Sequence, residues 1–392
     1  MTVDEIDKRL GAHVAADELL GLAWLIAAGD DVTTGAIGHF DTAREIPVRT
    51  DTIFRISSMT KPLTAVAASI LIEDGVLDPT EPVDRLLPEL ADLRVLANPA
   101  AEVTDTVAAN RPITVDDLLT FRLGWGMDFA DFSPKPLDAV WSDLDLGWGP
   151  PTPARMLPPD TWLRQLGTLP LQYQPGERWL YHVGASILGI LVARAAGKPL
   201  SEFLADRVLR PLGMTDTGFS VPPDKLARFG PHYADIDGTR TVFDPADGQW
   251  STPPAFEGGG DGLVSTLADY HLFARMLRDG GELDGTRIMS EQAVNAMTTN
   301  HLTPEQLSRG GPSPDGSAGW GYGVGVQLRD LPAGPRAGAY GWDGGLGSTW
   351  SNDGAVTAIL LTNQAWSSAG PSPVFATFEQ ILGELARGSD PI

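Results

Sequence analysis

The sequence predicts a mixed α/β chain of the α+β kind, an antiparallel sheet flanked by helices with a mostly helical lobe inserted in the middle. Three observations predict it. Strand-like runs gather towards the two ends of the chain, helix-like runs fill the middle, and short turns of hairpin type join successive strands. Hairpins favour antiparallel pairing, and the terminal helices then cover one face of the sheet.

The elements follow in order. Val3, Ile6, Leu10 and Val14 recur at helical spacing, so the chain opens with an amphipathic helix. Runs 22–28 and 34–40 are strands joined around Gly29-Asp30-Asp31. After Phe54 the character turns helical, with 63–72 rich in Ala and Leu. Thr114-Val115-Asp116-Asp117 has the hydroxyl-then-acid spacing of a capped helix start. From 127 to 159 the prolines Pro134, Pro136, Pro150, Pro151 and Pro153 impose an irregular stretch, of a length often tied to function. Helices resume over 185–196 and 201–209. The run Gly258-Gly259-Gly260-Asp261-Gly262 is a sharp break that lets backbone pass closely behind a site, and helices follow over 266–278 and from Ser290. Strands 348–352 and 355–361 flank Asp353-Gly354, and Phe375, Phe378, Leu382 and Leu385 define a closing helix. Residues 1–55 and 240–392 thus form the sheet lobe and 56–239 the helical lobe of a single unit.

Composition narrows the function. Of 392 residues, 42% are hydrophobic and 20% charged, enough apolar material for a core and too much for wholesale disorder. Cysteine is absent, which excludes a thiolate nucleophile, a disulfide framework and Cys-ligated metal. A net charge of −23 repels nucleic acid and anionic membranes. The most apolar early stretch, 19–29, is about half of what a spanning helix needs. The acidic start Met1-Thr2-Val3-Asp4-Glu5 is unlike a secretory signal, so a cytoplasmic protein is expected. His13, His39, His232, His271 and His301 are scattered singly, so neither a metal nor a cofactor is expected.

The strongest motif is Ser58-Met59-Thr60-Lys61. A serine hydroxyl is a poor nucleophile until a neighbouring base takes its proton. Three residues apart on a helix, Ser58 and Lys61 share one face. Lys61 is the only lysine with serine three positions earlier, and the motif falls between a strand and an apolar helix. A lysine at its ordinary pKa stays protonated at neutral pH, so a second group is needed. Tyr181 lies in Pro175-Gly176-Glu177-Arg178-Trp179-Leu180-Tyr181 ahead of an apolar helix; it and Lys61 either share one proton or one of the two is deprotonated, and both versions supply a base. His182 adjoins Tyr181, but neighbouring side chains point apart, which favours a bystander. Ser186 reads as a small packing serine. Trp125, Trp141, Trp148 and Trp162 either line an acyl pocket or anchor the long loop.

Three motifs, Ser58 to Lys61, Pro175 to Tyr181 and Trp342-Asp343-Gly344-Gly345, come in the order that resembles the β-lactamase and penicillin-binding superfamily. The segments 113–120, 211–214 and 258–269 are similar too, and the likeness runs from about Leu22 to about Asn363. Within that superfamily the chain looks most like the family VIII carboxylesterases, which share the class C β-lactamase fold. The resemblance implies Ser58 as nucleophile, Lys61 and Tyr181 as its base system, and the N–H groups of Ser58 and Gly345 as an oxyanion hole. Trp342, Val183, Trp125 and Gly344 would meet the substrate. Val183 replaces the asparagine of a Tyr-x-Asn motif, and Trp342 the lysine of Lys-Thr-Gly. Both changes remove partners for an amide-linked, anionic substrate and tolerate a small-molecule ester. The expected activity is therefore hydrolysis of short- to medium-chain esters. Acyl transfer, β-lactamase or D-amino-acid peptidase action, and a penicillin-binding sensor without turnover are the alternatives.

Overall fold

The computed structural model describes residues 1–29, 31–147, 149–332, 334–354, 356–367 and 370–388. Asp30 of the first turn, Trp148 and Ala355 lie outside the described residues. Helix α1 spans Val3–Ala15, and its start is closed by a reciprocal cap between Thr2 and Glu5. Strands β1 (Gly21–Ala28) and β2 (Asp31–Gly38) form the first hairpin. Helices α2 (Thr60–Glu73), α3 (Val183–Ala196) and α4 (Leu267–Arg278) follow. Strands β3 (Ala318–Trp320), β4 (Gly325–Gln327), β5 (Tyr340–Gly344), β6 (Ser348–Asp353) and β7 (Val356–Thr362) precede the last helix, α5 (Pro373–Gly388).

The seven strands form one antiparallel sheet in the order β3-β4-β5-β6-β7-β1-β2. Strand β1 is interior, between β7 and the edge strand β2, and is buried on both faces, which explains its continuous apolar run. Its side chains alternate. Leu22, Trp24 and Ile26 pack with Ile6 and Leu10 of α1 and Phe375 and Phe378 of α5. Ala23, Leu25 and Ala27 face the main core with Leu63 and Val66 of α2 and Phe273 of α4. The terminal helices cover one face together, and Arg9 Nη1 meets Glu384 Oε2 at 2.8 Å between them. The same core continues to Trp125, Trp141 and Trp162, so the helical middle shares one interior with the sheet. Among the described residues no single helix is long and apolar enough to cross a membrane.

Two of the differences from expectation stand out. The proline-rich stretch 127–159 holds a helix over Pro136–Asp143, begun by a proline in its first turn where the missing N–H costs nothing. A hairpin, His232–Ile236 with Thr239–Asp244, stands where no strands were expected. Asp237 and Gly238 link it at φ +52° and +77°, so this Asp-Gly pair is the signal that marks it.

The hairpin matters because it carries Asp244, which is buried against Arg55. Arg55 lies in the short strand Phe54–Arg55 that leads to Ser58 and pairs with Val264–Ser265. Its Nε donates to Asp244 Oδ2 at 2.9 Å, its Nη1 to Gly230 O at 3.0 Å, and its guanidinium lies 4.0 Å from the Phe229 ring. Burial pushes the Arg55 pKa down to about 10, and Asp244 opposes that. Removing one partner of a buried pair leaves the other charge uncompensated. Asp244→Ala should therefore lower unfolding free energy by about 3–5 kcal/mol in denaturant titration. A loss under about 1 kcal/mol would show that the pair contributes little.

Candidate active site

Ser58 sits in a 3-10 turn, Ser57–Met59, that runs directly into α2. Ser57 has φ +47°, a conformation that side chains resist, and this bend turns the strand into the helix with Ser58 on the inner side. From the first turn of α2, Lys61 Nζ reaches Ser58 Oγ at 2.8 Å. The Thr60 hydroxyl accepts from Leu263 N at 3.1 Å, and Thr64 Oγ1 donates to Gly259 O at 2.7 Å. These bonds tie the glycine run to α2 and bring Gly260 O within 2.8 Å of Lys61 Nζ. A Cβ at Gly259 would lie 2.7 Å from Ala185 O and 2.9 Å from Gly189 Cα, so only glycine lets the run pass between α2 and α3.

Tyr181 is held from the other side. Its N–H and C=O exchange bonds with Met127 at 2.8 and 2.9 Å. Gly126 lies so close that a Cβ there would meet Tyr181 O at 2.6 Å. Around the phenol ring stand Phe121, Phe129, Trp179, Trp320 and Trp342. Trp342, from β5, donates Nε1–H to the Tyr181 hydroxyl at 2.7 Å. Ser58 also hydrogen-bonds that hydroxyl. Lys61 Nζ lies 4.6 Å from the ring centroid, over the face of the phenol.

Burial decides the protonation states. It pushes the Lys61 ammonium well below the ordinary lysine range, opposed by the Asp261 charge. It pushes the Tyr181 phenol well above the ordinary tyrosine range, despite the bonds from Ser58 and Trp342. Of the alternatives left open by the sequence, these directions favour the one in which the amine gives up its proton and the phenol keeps its own. A neutral amine 2.8 Å from a serine hydroxyl can take its proton, and the phenol has a proton to give.

The remaining candidates fall in different places. Gly344 packs against the serine turn, since a Cβ would lie 2.4 Å from Ile56 O. Gly345 follows it, with open space where a side chain would stand. Val183 opens α3, belongs to the main core and lines a narrow cavity of about 30 Å³ with His182, Ser186, Trp162 and Asp261. Trp125 does not line the site. It is fully buried with Nε1–H donated to Pro170 O at 2.7 Å, so the loop-anchor alternative is the one realised. Trp141 is likewise buried in the core. The sequence reading set His182 aside as a bystander and gave Asp261 no role. His182 Nδ1 is 3.3 Å from Lys61 Nζ, and its Nε2 is 3.5 Å from Asp261 Oδ2. Neighbouring side chains point apart only on ordinary backbone, and His182 has φ +88°.

Comparison with known proteins shows the family and the fold. The family model described as Beta-lactamase matches residues 6–371. The chain is 36% identical over 332 residues to Protein Rv1367c of Mycobacterium tuberculosis strain H37Rv, covering 83% of this chain and 80% of that one. It is 28% identical over 377 residues to Esterase EstB of Burkholderia gladioli, covering 90% and 88%. Among solved structures, unliganded simvastatin synthase LovD of Aspergillus terreus superposes with a TM-score of 0.79 at 23% identity, covering 99% of each chain.

Proposed function

Because the chain belongs to the beta-lactamase family, as a serine hydrolase of that superfamily, we propose that it is a carboxylesterase of the family VIII type acting on short- to medium-chain esters. The observation that carries the reading is the buried Lys61 amine, 2.8 Å from Ser58 Oγ. Lys61 takes the Ser58 proton as Oγ attacks the ester carbonyl carbon. The oxyanion forms beside the N–H groups of Ser58 and Gly345. As the intermediate collapses, the Tyr181 O–H protonates the departing alkoxide and is reprotonated from the Lys61 ammonium. Water then attacks the acyl-serine, giving its proton to Lys61, and Lys61 returns that proton to Ser58 Oγ as the bond to the acyl carbon breaks and the acid leaves.

Trp342 and Val183 support an ester over a β-lactam. At Trp342 an indole N–H directed at Tyr181 stands where a lysine would attract a carboxylate. Val183 offers an amide no partner, and an amide group left unpaired there costs about 1–3 kcal/mol. Steady-state turnover of a p-nitrophenyl butyrate beside a chromogenic cephalosporin tests this. Ester hydrolysis with slow or undetectable cephalosporin opening is expected. Val183→Asn with Trp342→Lys should move the ratio of the two kcat/KM values towards the cephalosporin. Equal efficiency of the wild-type protein on both substrates would sink the ester reading, and a single acylation burst without turnover would point to a sensor.

A further inference from the structure

We propose that His182 and Asp261 form a positioning relay behind Lys61, which occupies one of its N–H bonds and leaves its lone pair directed at Ser58. The proposal rests on Ser58 and Lys61 being nucleophile and base. A neutral lysine amine has two N–H donors and one lone pair. Three partners surround Lys61 Nζ: Gly260 O at 2.8 Å, His182 Nδ1 at 3.3 Å and Ser58 Oγ at 2.8 Å. Gly260 O can only accept. If His182 Nδ1 also accepts, both donors are taken and the lone pair is left for the serine proton. His182 Nδ1 accepts only when the ring proton is on Nε2, and Asp261 Oδ2 lies 3.5 Å from that atom. Asp261 therefore selects the tautomer, the tautomer fixes the amine, and the amine faces the nucleophile.

Backbone geometry supports the relay independently. His182 has φ +88° and ψ −60°, a conformation with a strain cost for any residue but glycine. It stands at the N-terminal cap of α3, yet its side chain makes no capping bond there. The bend instead turns the imidazole back towards Lys61, the side opposite to that expected of a neighbour of Tyr181. Burial keeps the ring neutral, as the relay requires. The ionisable groups facing Lys61 are Tyr181, His182 and Asp261, while Asp343 acts on Tyr181 from β5.

His182→Gly is the informative deletion, because glycine suits the backbone at this position and the fold should lose nothing. Its kcat on p-nitrophenyl butyrate should fall by about 10²-fold with KM within about threefold, and Tm should be unchanged or higher. Added imidazole should restore turnover saturably, by about fivefold or more, with Ser58→Ala run in parallel to subtract direct catalysis by the buffer. Asp261→Asn keeps an acceptor for Nε2 and removes the charge that holds Lys61 protonated. Its plateau kcat should fall by about 3–10-fold, because the amide can donate to Nε2 as well as accept from it, while the acid limb of the pH profile moves to lower pH by about half to one unit. A His182→Gly enzyme with kcat within about twofold of wild type overturns the relay. So does a loss that imidazole leaves untouched while the Asp261→Asn limb stays in place. Failure of the underlying reading would show separately, as turnover retained by Ser58→Ala.

Discussion

Ser58→Ala is expected to lower ester turnover by roughly 10⁴–10⁶-fold and to abolish labelling by a serine-directed phosphonate. The fold should be indifferent. The Ser58 hydroxyl touches Lys61 and Tyr181 but bonds no backbone group, and Lys61 keeps Gly260 O and His182 as partners. Thermal unfolding should therefore move by only a few degrees, on the scale of a lost hydrogen bond of about 1 kcal/mol. Mass spectrometry of the phosphonate adduct gives the second readout. An adduct on Ser57 or Ser186, or activity near wild type, would remove Ser58 from the mechanism.

Tyr181→Phe should cost about 10²–10⁴ in kcat on esters with poor leaving groups, and far less on activated ones. A phenol that stays protonated serves as an acid, and an acid matters most where the leaving group is poor. An alkyl ester should lose about 10³-fold, whereas a nitrophenyl ester, whose leaving group departs without help, should lose about tenfold or less. The Trp342 indole N–H would lose its acceptor in the same variant, so stability should fall by about 1–3 kcal/mol. Equal losses on both esters would mean that Tyr181 acts before the leaving group departs. A loss below about threefold on both would reduce it to packing.

Much of this site can be read from the chain because its geometry is local. Ser58 and Lys61 meet through the pitch of one helix, and the glycine run announces a close backbone approach that Gly259 makes against Ala185 and Gly189. The closing and opening helices are equally visible, since each has one apolar stripe and one face of the sheet to meet. Other parts depend on torsions that residue identity does not disclose. Histidine rarely adopts φ near +88°, so adjacency to Tyr181 gave the wrong direction for His182. Asp261 read only as part of a sharp glycine break, and it is the pairing of Phe54–Arg55 with Val264–Ser265 that carries it beside Lys61. Trp125 was ambiguous for another reason: a tryptophan that lines a pocket and one that pins a loop have the same neighbours in sequence.

The order of the strands has a bearing on how the chain is made. Strand β1 finds its partner β7 only in the last tenth or so of the sequence, with Leu22 opposite Thr362. On a ribosome adding about 5–20 residues per second, that separation of about 340 residues is a wait of roughly 20–70 s. Throughout it β1 exposes Leu22, Trp24, Leu25 and Ile26 along an edge with unpaired backbone groups. Hairpin pairing with β2 protects the other edge within seconds, but nothing made early can protect this one. Nascent chains of this protein should thus depend on holding chaperones in proportion to translation time, and slowing elongation should raise the insoluble fraction more than it does for a chain whose sheet closes locally.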